Sequence, residues 1–254
     1  RSGSAPTITH CRIVDCEGGG GPAIWCDQST ATIEDCLFSG NSSFHGGAVI
    51  QCTNASPTIR RCVFADNTSG GESGAIQCNL SSMPVVEDCV FIGNTSFLAS
   101  AIRCIHDATA SITRCTVTHN RGPSGGAVVV CSENAIATMT GSIIAFDEAA
   151  PAVSCLDNAQ VLMSCCDVFG NAGGDWVDCI ADQLDEEDNF SADPEFCSTA
   201  PDTDIWWALQ SDSPCIAGNH PAGADCGTIG APATACGTTA IETTTWGAIK
   251  ASFE

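Results

Sequence analysis

The chain has 254 residues, with 30 Asp and Glu against 8 Lys and Arg and a formal net charge of −22 at pH 7. So acidic a chain has little with which to displace the counterions of a nucleic acid or to hold an anionic membrane, and it disfavours polyanionic sugars such as pectate. Nineteen cysteines point to an oxidising, extracellular compartment, no C-x-x-C-like zinc cluster occurs, and no apolar run is long enough to span a bilayer.

Taken in order, the chain repeats. One cysteine column reads Cys11, Cys36, Cys62, Cys89, Cys115, Ser142 and Cys166, in steps of 25, 26, 27, 26, 27 and 24 residues. A second reads Cys26, Cys52, Cys78, Cys104, Cys131, Cys155 and Cys179. Two columns at one period dictate a solenoid, because a single copy cannot close a core. Around both columns apolar residues alternate with polar ones. Ile24, Ile50, Ile76, Ile102, Val129, Val153 and Val177 stand two residues before the second cysteine. Ile13, Phe38, Phe64, Phe91, Val117, Ile144 and Val168 stand two residues after the first. Period two means strands with these residues inward. The reading is all-β: a right-handed parallel β-helix of about seven coils over residues 1–180, each with about three short strands.

Five residues after the first cysteine comes a column of Cys16, Asn41, Asn67, Asn94, Asn120, Asp147 and Asn171. Asn tolerates a left-handed bend, and its amide can bond up and down a stack. Three of these Asn begin N-x-S/T sequons but are read as stacked, so Asn54 and Asn79 are the glycosylation candidates.

F-S-G-N (38–41), F-A-D-N (64–67) and F-I-G-N (91–94), with G-G-A-V (46–49), S-G-A-I (73–76) and G-G-A-V (125–128), are motifs of a known repeat. They resemble the FxxN and GGA[ILV] halves of the polymorphic outer-membrane (Pmp-type) proteins. The resemblance covers roughly residues 3–180. It implies a β-helix on a secreted surface protein engaged in adhesion, in a family whose passenger is followed by a transmembrane β-barrel.

After Cys179 the period is lost. Residues 181–236 are expected to cap the open end of the helix, where strand edges would otherwise be bare. In the tail, 237–254, Trp246, Ile249 and Phe253 fall at helical spacing, after a strand through Ile241 to Thr245.

The cysteines carry two readings. One is bridging across the lumen within a coil: Cys11–Cys26, Cys36–Cys52, Cys62–Cys78, Cys89–Cys104, Cys115–Cys131 and Cys166–Cys179. Cys155 then pairs with Cys165, and Cys197, Cys215, Cys226 and Cys236 bridge within the cap. Each coil loop is worth about 3 kcal/mol in the chain-entropy model. The other reading is a ladder of buried thiols. Cys16 is left over and, with Trp246, Ile249 and Phe253, is an assembly candidate.

Catalytic β-helices cluster carboxylates on one outward face. Here Arg60 and Arg61 lie between Glu34/Asp35 and Glu87/Asp88, a charge ladder that holds register and needs no catalysis. No G-x-S-x-G, P-loop or H-E-x-x-H motif occurs, and His45, His106, His119 and His220 have no motif partners. Trp206 and Trp207 read as cap core, with sugar stacking as the alternative. The acidic loop with Asp185, Glu186, Glu187 and Asp188 is a weak Ca²⁺ candidate without EF-hand spacing; no other cofactor is indicated. Two function classes follow. The first is a secreted, non-enzymatic structural or adhesive surface protein, with itself as partner in a head-to-tail filament or a cell-surface glycan as ligand. The second is a polysaccharide-binding or polysaccharide-cleaving β-helix.

Overall fold

The computed structural model describes residues 3–18, 23–44, 49–122, 127–148, 151–197 and 207–232. They form a parallel β-solenoid of four sheets. The first sheet stacks Thr7–Thr9, Thr32–Glu34, Thr58–Arg60, Val85–Glu87, Thr109–Thr113, Ile136–Thr140 and Gln160–Ser164. The second stacks Arg12–Val14, Leu37–Ser39, Val63–Ala65, Val90–Ile92, Thr116–Thr118, Ile143–Ala145 and Asp167–Phe169. A third sheet has four two-residue strands between Glu17–Gly18 and Thr95–Ser96, and the fourth has six strands, from Ile24–Asp27 to Val153–Cys155. The repeat thus has four strands in its best-formed coils, one more than its apolar alternation indicates.

The register places like on like. Phe38, Phe64 and Phe91 are Cα partners whose rings stack at 5.0 and 4.9 Å. Ile24, Ile50, Ile76, Ile102, Val129 and Val153 continue one above the other in the fourth sheet. Thr, Val and Ile suit this pleated, half-buried surface, and few long helix formers compete. Corners separate the strands. At the corner before the first cysteine column, His10, Asp35, Arg61, Asp88, Arg114, Gly141 and Cys165 all have φ between 47 and 57°. At the corner before the Asn column, Asp15, Gly40, Asp66, Gly93, His119, Phe146 and Gly170 do likewise, between 51 and 69°.

Between coils the Asn ladder is satisfied on both sides. Asn94 Oδ1 accepts from Asn67 N (3.1 Å) and Asn67 Nδ2 (2.9 Å), and Asn94 Nδ2 donates to Phe64 O (2.8 Å) and Asn120 Oδ1 (3.0 Å). Asn41, Asn67, Asn94 and Asn120 are all buried, as stacking requires. Ion pairs bind the same coils outside: Arg60 to Glu34, Arg61 bidentate to Asp35, and Arg114 bidentate to Asp88. Each arginine reaches the preceding coil, so Asp88 is paired with Arg114 and not with Arg61. Partly exposed pairs of this kind contribute about 0.5 kcal/mol each.

The cysteines correct the bridged expectation. Cys11, Cys26, Cys36, Cys52, Cys62, Cys78, Cys89, Cys104, Cys115, Cys131, Cys166 and Cys215 are thiols, as is the exposed Cys16. The two columns run in separate files with the Phe and Ile stacks filling the lumen, so the nearest sulfur lies in the next coil. The disulfides join Cys155 to Cys179 and Cys165 to Cys226, in place of Cys166–Cys179 and Cys155–Cys165. Cys155 and Cys179 are neighbours in one column, 5.7 Å apart at Cα. They meet there because Cys179 sits in a 3₁₀ turn, Asp178–Ile180, and the seventh coil has no fourth-sheet strand. Cys197 is also disulfide-bonded. Cys236, Trp246, Ile249 and Phe253 lie outside the described residues.

Residues past the last coil do two things. Those from 175 to 190 cover the end with side-chain amides and carboxylates in place of an eighth coil. Gln183 accepts from Met163 N (2.8 Å) and donates to Val161 O (2.8 Å); Asn189 accepts from Cys166 N and donates to Met163 O, both at 3.0 Å. Asp178 accepts from Cys155 N (3.2 Å). Residues 190–197 and 207–231 then lie along the outside of the second sheet. Phe190, Phe196, Trp207, Leu209, Cys215, Ile229 and Ala231 bury the outward residues Leu37, Val63, Val90 and Ile143 in a second core. Gly230 N donates to Gly141 O (2.7 Å), and Ala231 N donates to Thr116 Oγ1 (2.9 Å). A Cβ on Gly230 would sit 2.7 Å from Ile143 Cδ1, so only glycine lets the strap lie this close.

Two predictions follow from the buried polar column. Replacing Asn94 by Ala strands the Asn67 amide and the Phe64 carbonyl in the interior. The loss of stability should be about 2–4 kcal/mol, read as a shift in the urea midpoint. Asp147 occupies a rung of the same ladder. Its Oδ1 accepts from Asn120 N (2.6 Å) and Nδ2 (3.0 Å), but its buried Oδ2 has no partner. By the ladder's register that oxygen stands where a donor belongs, between Val117 O and Asn171 Oδ1. Burial pushes the Asp147 carboxyl up to about 7. A carboxyl raised in the fold from 3.8 destabilises fully above pH 7, progressively less as pH falls, and not below about pH 4. Asp147→Asn restores the donor and should stabilise by on the order of 4 kcal/mol at pH 8, with the gain vanishing near pH 4. Urea unfolding of both proteins across that range measures it; a gain independent of pH counts against the protonated acid.

Candidate functional site

The solenoid seats several long side chains at left-handed corners, and Phe146 is the one phenylalanine among the described residues so placed, strained by about 1–2 kcal/mol. The corner before the Asn column uses Gly or Asp in five coils and His119 and Phe146 in two successive ones. At those two coils the strap crosses nearby, and a cavity of about 480 Å³ opens in the seam. His119 and Phe146 form its solenoid wall, and Asp193, Glu195, Phe196, Gln210 and Asp212 form its strap wall.

The strap wall is built from a short antiparallel contact. Phe196 bridges Leu209, Gln210 N donates to Glu195 O (3.0 Å), and Cys197 N donates to Ala208 O (2.6 Å). Asp193 Oδ1 accepts from Glu195 N (2.9 Å), turning the chain into the bridge. The aromatic floor is locked edge-on. Phe146 meets Phe196 at 6.1 Å and Phe169 at 5.8 Å between centroids, and His119 tilts against it at 6.0 Å. His119 Nδ1 lies 2.7 Å from Thr118 Oγ1. Burial pushes the His119 imidazole down, with Glu148 opposing and Arg121 reinforcing, so it is neutral at pH 7. Arg121 is engaged by Glu148 through a bidentate pair at 2.9 Å.

Three carboxylates, a neutral imidazole and two rings make a mouth of hydrogen-bond acceptors over an apolar floor. Such a cavity favours neutral hydroxyl-rich or cationic groups and repels anions.

The other sequence candidates fall elsewhere. Asp185, Glu186, Glu187 and Asp188 are not gathered into a ligand set. Among the described residues the one convergence of three ligating atoms is Cys165, Asp188 and Cys226, and its two sulfurs are bonded to each other. The loop holds the end cap together instead: Glu187 O accepts from Cys165 N (2.8 Å), and Asp188 O accepts from His220 Nε2 (2.9 Å). His106 bridges Asn79 Oδ1 and Glu133 Oε2, both at 2.7 Å, across successive coils. Asn54 is exposed and Asn79 half-buried. Cys16 is exposed, and its N donates to Asn41 Oδ1 (3.2 Å) as the first rung of the Asn ladder. Trp207 is buried in the strap core. Trp206 and His45 lie outside the described residues.

Reading the sequence missed the cavity because it missed the strap. The signal was there: V-F-A (63–65), V-F-I (90–92) and I-I-A (143–145) are apolar on both faces, as in a strand covered twice.

A family model described as the right-handed beta helix region matches residues 1–101. Neither the curated proteins nor the solved structures yield a match. The parallel coils continue past the matched segment to Asp167–Phe169, and the chain is a β-helix repeat protein.

Proposed function

We propose that this is an extracellular, non-catalytic surface protein, in which the β-helix is a rigid adhesive rod and the seam cavity takes a neutral glycan. The observation that carries this reading is the pairing of two ring-bearing corner residues, His119 and Phe146, with the carboxylates of the strap around one cavity. Carboxylates accept from sugar hydroxyls, and an aromatic floor suits the apolar face of a sugar ring. The disulfides agree with an oxidising compartment. The charge ladder agrees with a structural role: Arg60, Arg61 and Arg114 are spent on joining coils.

Self-association is the other surface role this reading allows. Among the described residues, Thr7–Thr9, Arg12–Val14 and Ile24–Asp27 stand at one edge of their sheets. At the opposite end Gln183 and Asn189 already hold the edge. A head-to-tail filament therefore has to displace residues 175–190. The polysaccharide-cleaving reading uses the same cavity, with its carboxylates as acid and base.

The test is a glycan array, with reducing ends assayed alongside. Neutral glycans should bind and acidic ones should not. Asp212→Asn, at an exposed position, should weaken binding at least about tenfold with an unchanged melting temperature. No reducing ends should appear. Release of reducing ends would move the chain to the enzymatic class, and binding undiminished in Asp212→Asn together with His119→Gly would remove the cavity from the reading.

A further inference from the structure

The two interior cysteine files have no part in the seam cavity. In one, Cys26, Cys52, Cys78, Cys104 and Cys131 are successive Cα partners. Parallel register therefore sets their side chains one above the next, Cys26 beside Cys52, Cys52 beside Cys78, Cys78 beside Cys104 and Cys104 beside Cys131. In the other, Cys36, Cys62, Cys89 and Cys115 stand in successive coils, and each thiol donates to the backbone carbonyl two residues earlier, Glu34 O, Arg60 O, Glu87 O and Thr113 O. All of these sulfurs are buried and unbridged.

We propose that the two files bind soft monovalent cations, copper(I) or silver(I), each held in line between sulfurs of successive coils. Three constraints select this class. The first is chemical: thiolate sulfur prefers soft d¹⁰ ions. The second is spacing: two metal–sulfur bonds of about 2.3 Å in line span about 4.6 Å, close to the ~4.8 Å between parallel strands. A file offers each ion two neighbours along an axis. Zinc requires about four ligands in a tetrahedron, and neither file gathers even three. The third constraint is charge. In an interior without counter-ions a monovalent cation replaces the proton of one thiol and takes a lone pair from the next sulfur in the file, giving S–M–S and one released H⁺, with no net charge buried. A divalent ion entering the same gap must expel two protons, one from each of the two thiols. Cys11, half-buried, precedes the second file, and its N donates to Cys36 Sγ (3.4 Å).

The intact chain, without reductant so that its disulfides persist, is titrated with silver(I) under anaerobic conditions and followed by native mass spectrometry. Uptake should approach about seven ions, one per gap between successive sulfurs of a file, plus those at isolated thiols, with one proton released for each. The double variant Cys52→Ser, Cys104→Ser interrupts every gap of one file and should take up about four fewer ions. Equal uptake by the two proteins would overturn the proposal. X-ray absorption on the unaltered silver-loaded chain decides independently of how the variant folds: two sulfur ligands per ion are expected, and three or more overturn it. Zinc(II) in place of silver should give no comparable uptake, and equal loading by zinc would also overturn it.

Discussion

Parallel hydrogen bonding between one coil and the next is the constraint on which everything else rests. It places each side chain about 4.8 Å above its counterpart, so a residue type is chosen once per column. Phe stacks on Phe, thiol on thiol and amide on amide. What suits one rung must suit both neighbours. An acid among the Asn is disfavoured in its charged form, and burial raises the Asp147 carboxyl to about 7.

The same constraint creates the problem of ends. A stack exposes unpaired backbone groups wherever it stops. After the seventh coil the chain supplies an imitation of a further strand, in which Gln183 and Asn189 present amide oxygen and nitrogen where a backbone carbonyl and N–H would be. Asp178 adds an acceptor at the fourth sheet. These bonds are available only because the segment is pinned. Cys179 ties it to Cys155, Cys226 ties the strap to Cys165, and His220 holds the loop at Asp188. Pinning, more than sequence periodicity, sets where the solenoid ends.

How far the sequence could be read follows from this. Whatever repeats was legible: the columns of Ile24, Phe38 and Asn41 and the register between coils all come from a period that the backbone enforces. Whatever occurs once was not. The partner of Cys165 is 61 residues away on a strap that obeys no period. His119 was visible as a residue, but its role depends on Glu195 and Asp212 being carried back across the outside of coils five and six. The doubly apolar strands around Phe64 and Phe91 announced a cover without saying what provides it.

The cysteine columns show why spacing alone misleads about bonding. Fifteen or so residues between two cysteines of one coil look like a loop to be closed, and loop entropy favours closing it. Geometry decides otherwise, because the lumen between the columns is filled by stacked Phe and Ile that a transverse bridge would have to displace. Along a file the neighbour is near, but both residues lie in regular strands with parallel Cα–Cβ directions, which resists a disulfide. Cys155 and Cys179 escape this because the 3₁₀ turn at Asp178–Ile180 frees one of them from the strand. A file of thiols is therefore what the solenoid retains when it can bridge neither across nor along. It keeps them buried and stacked, each with one neighbour in the coil before and one in the coil after.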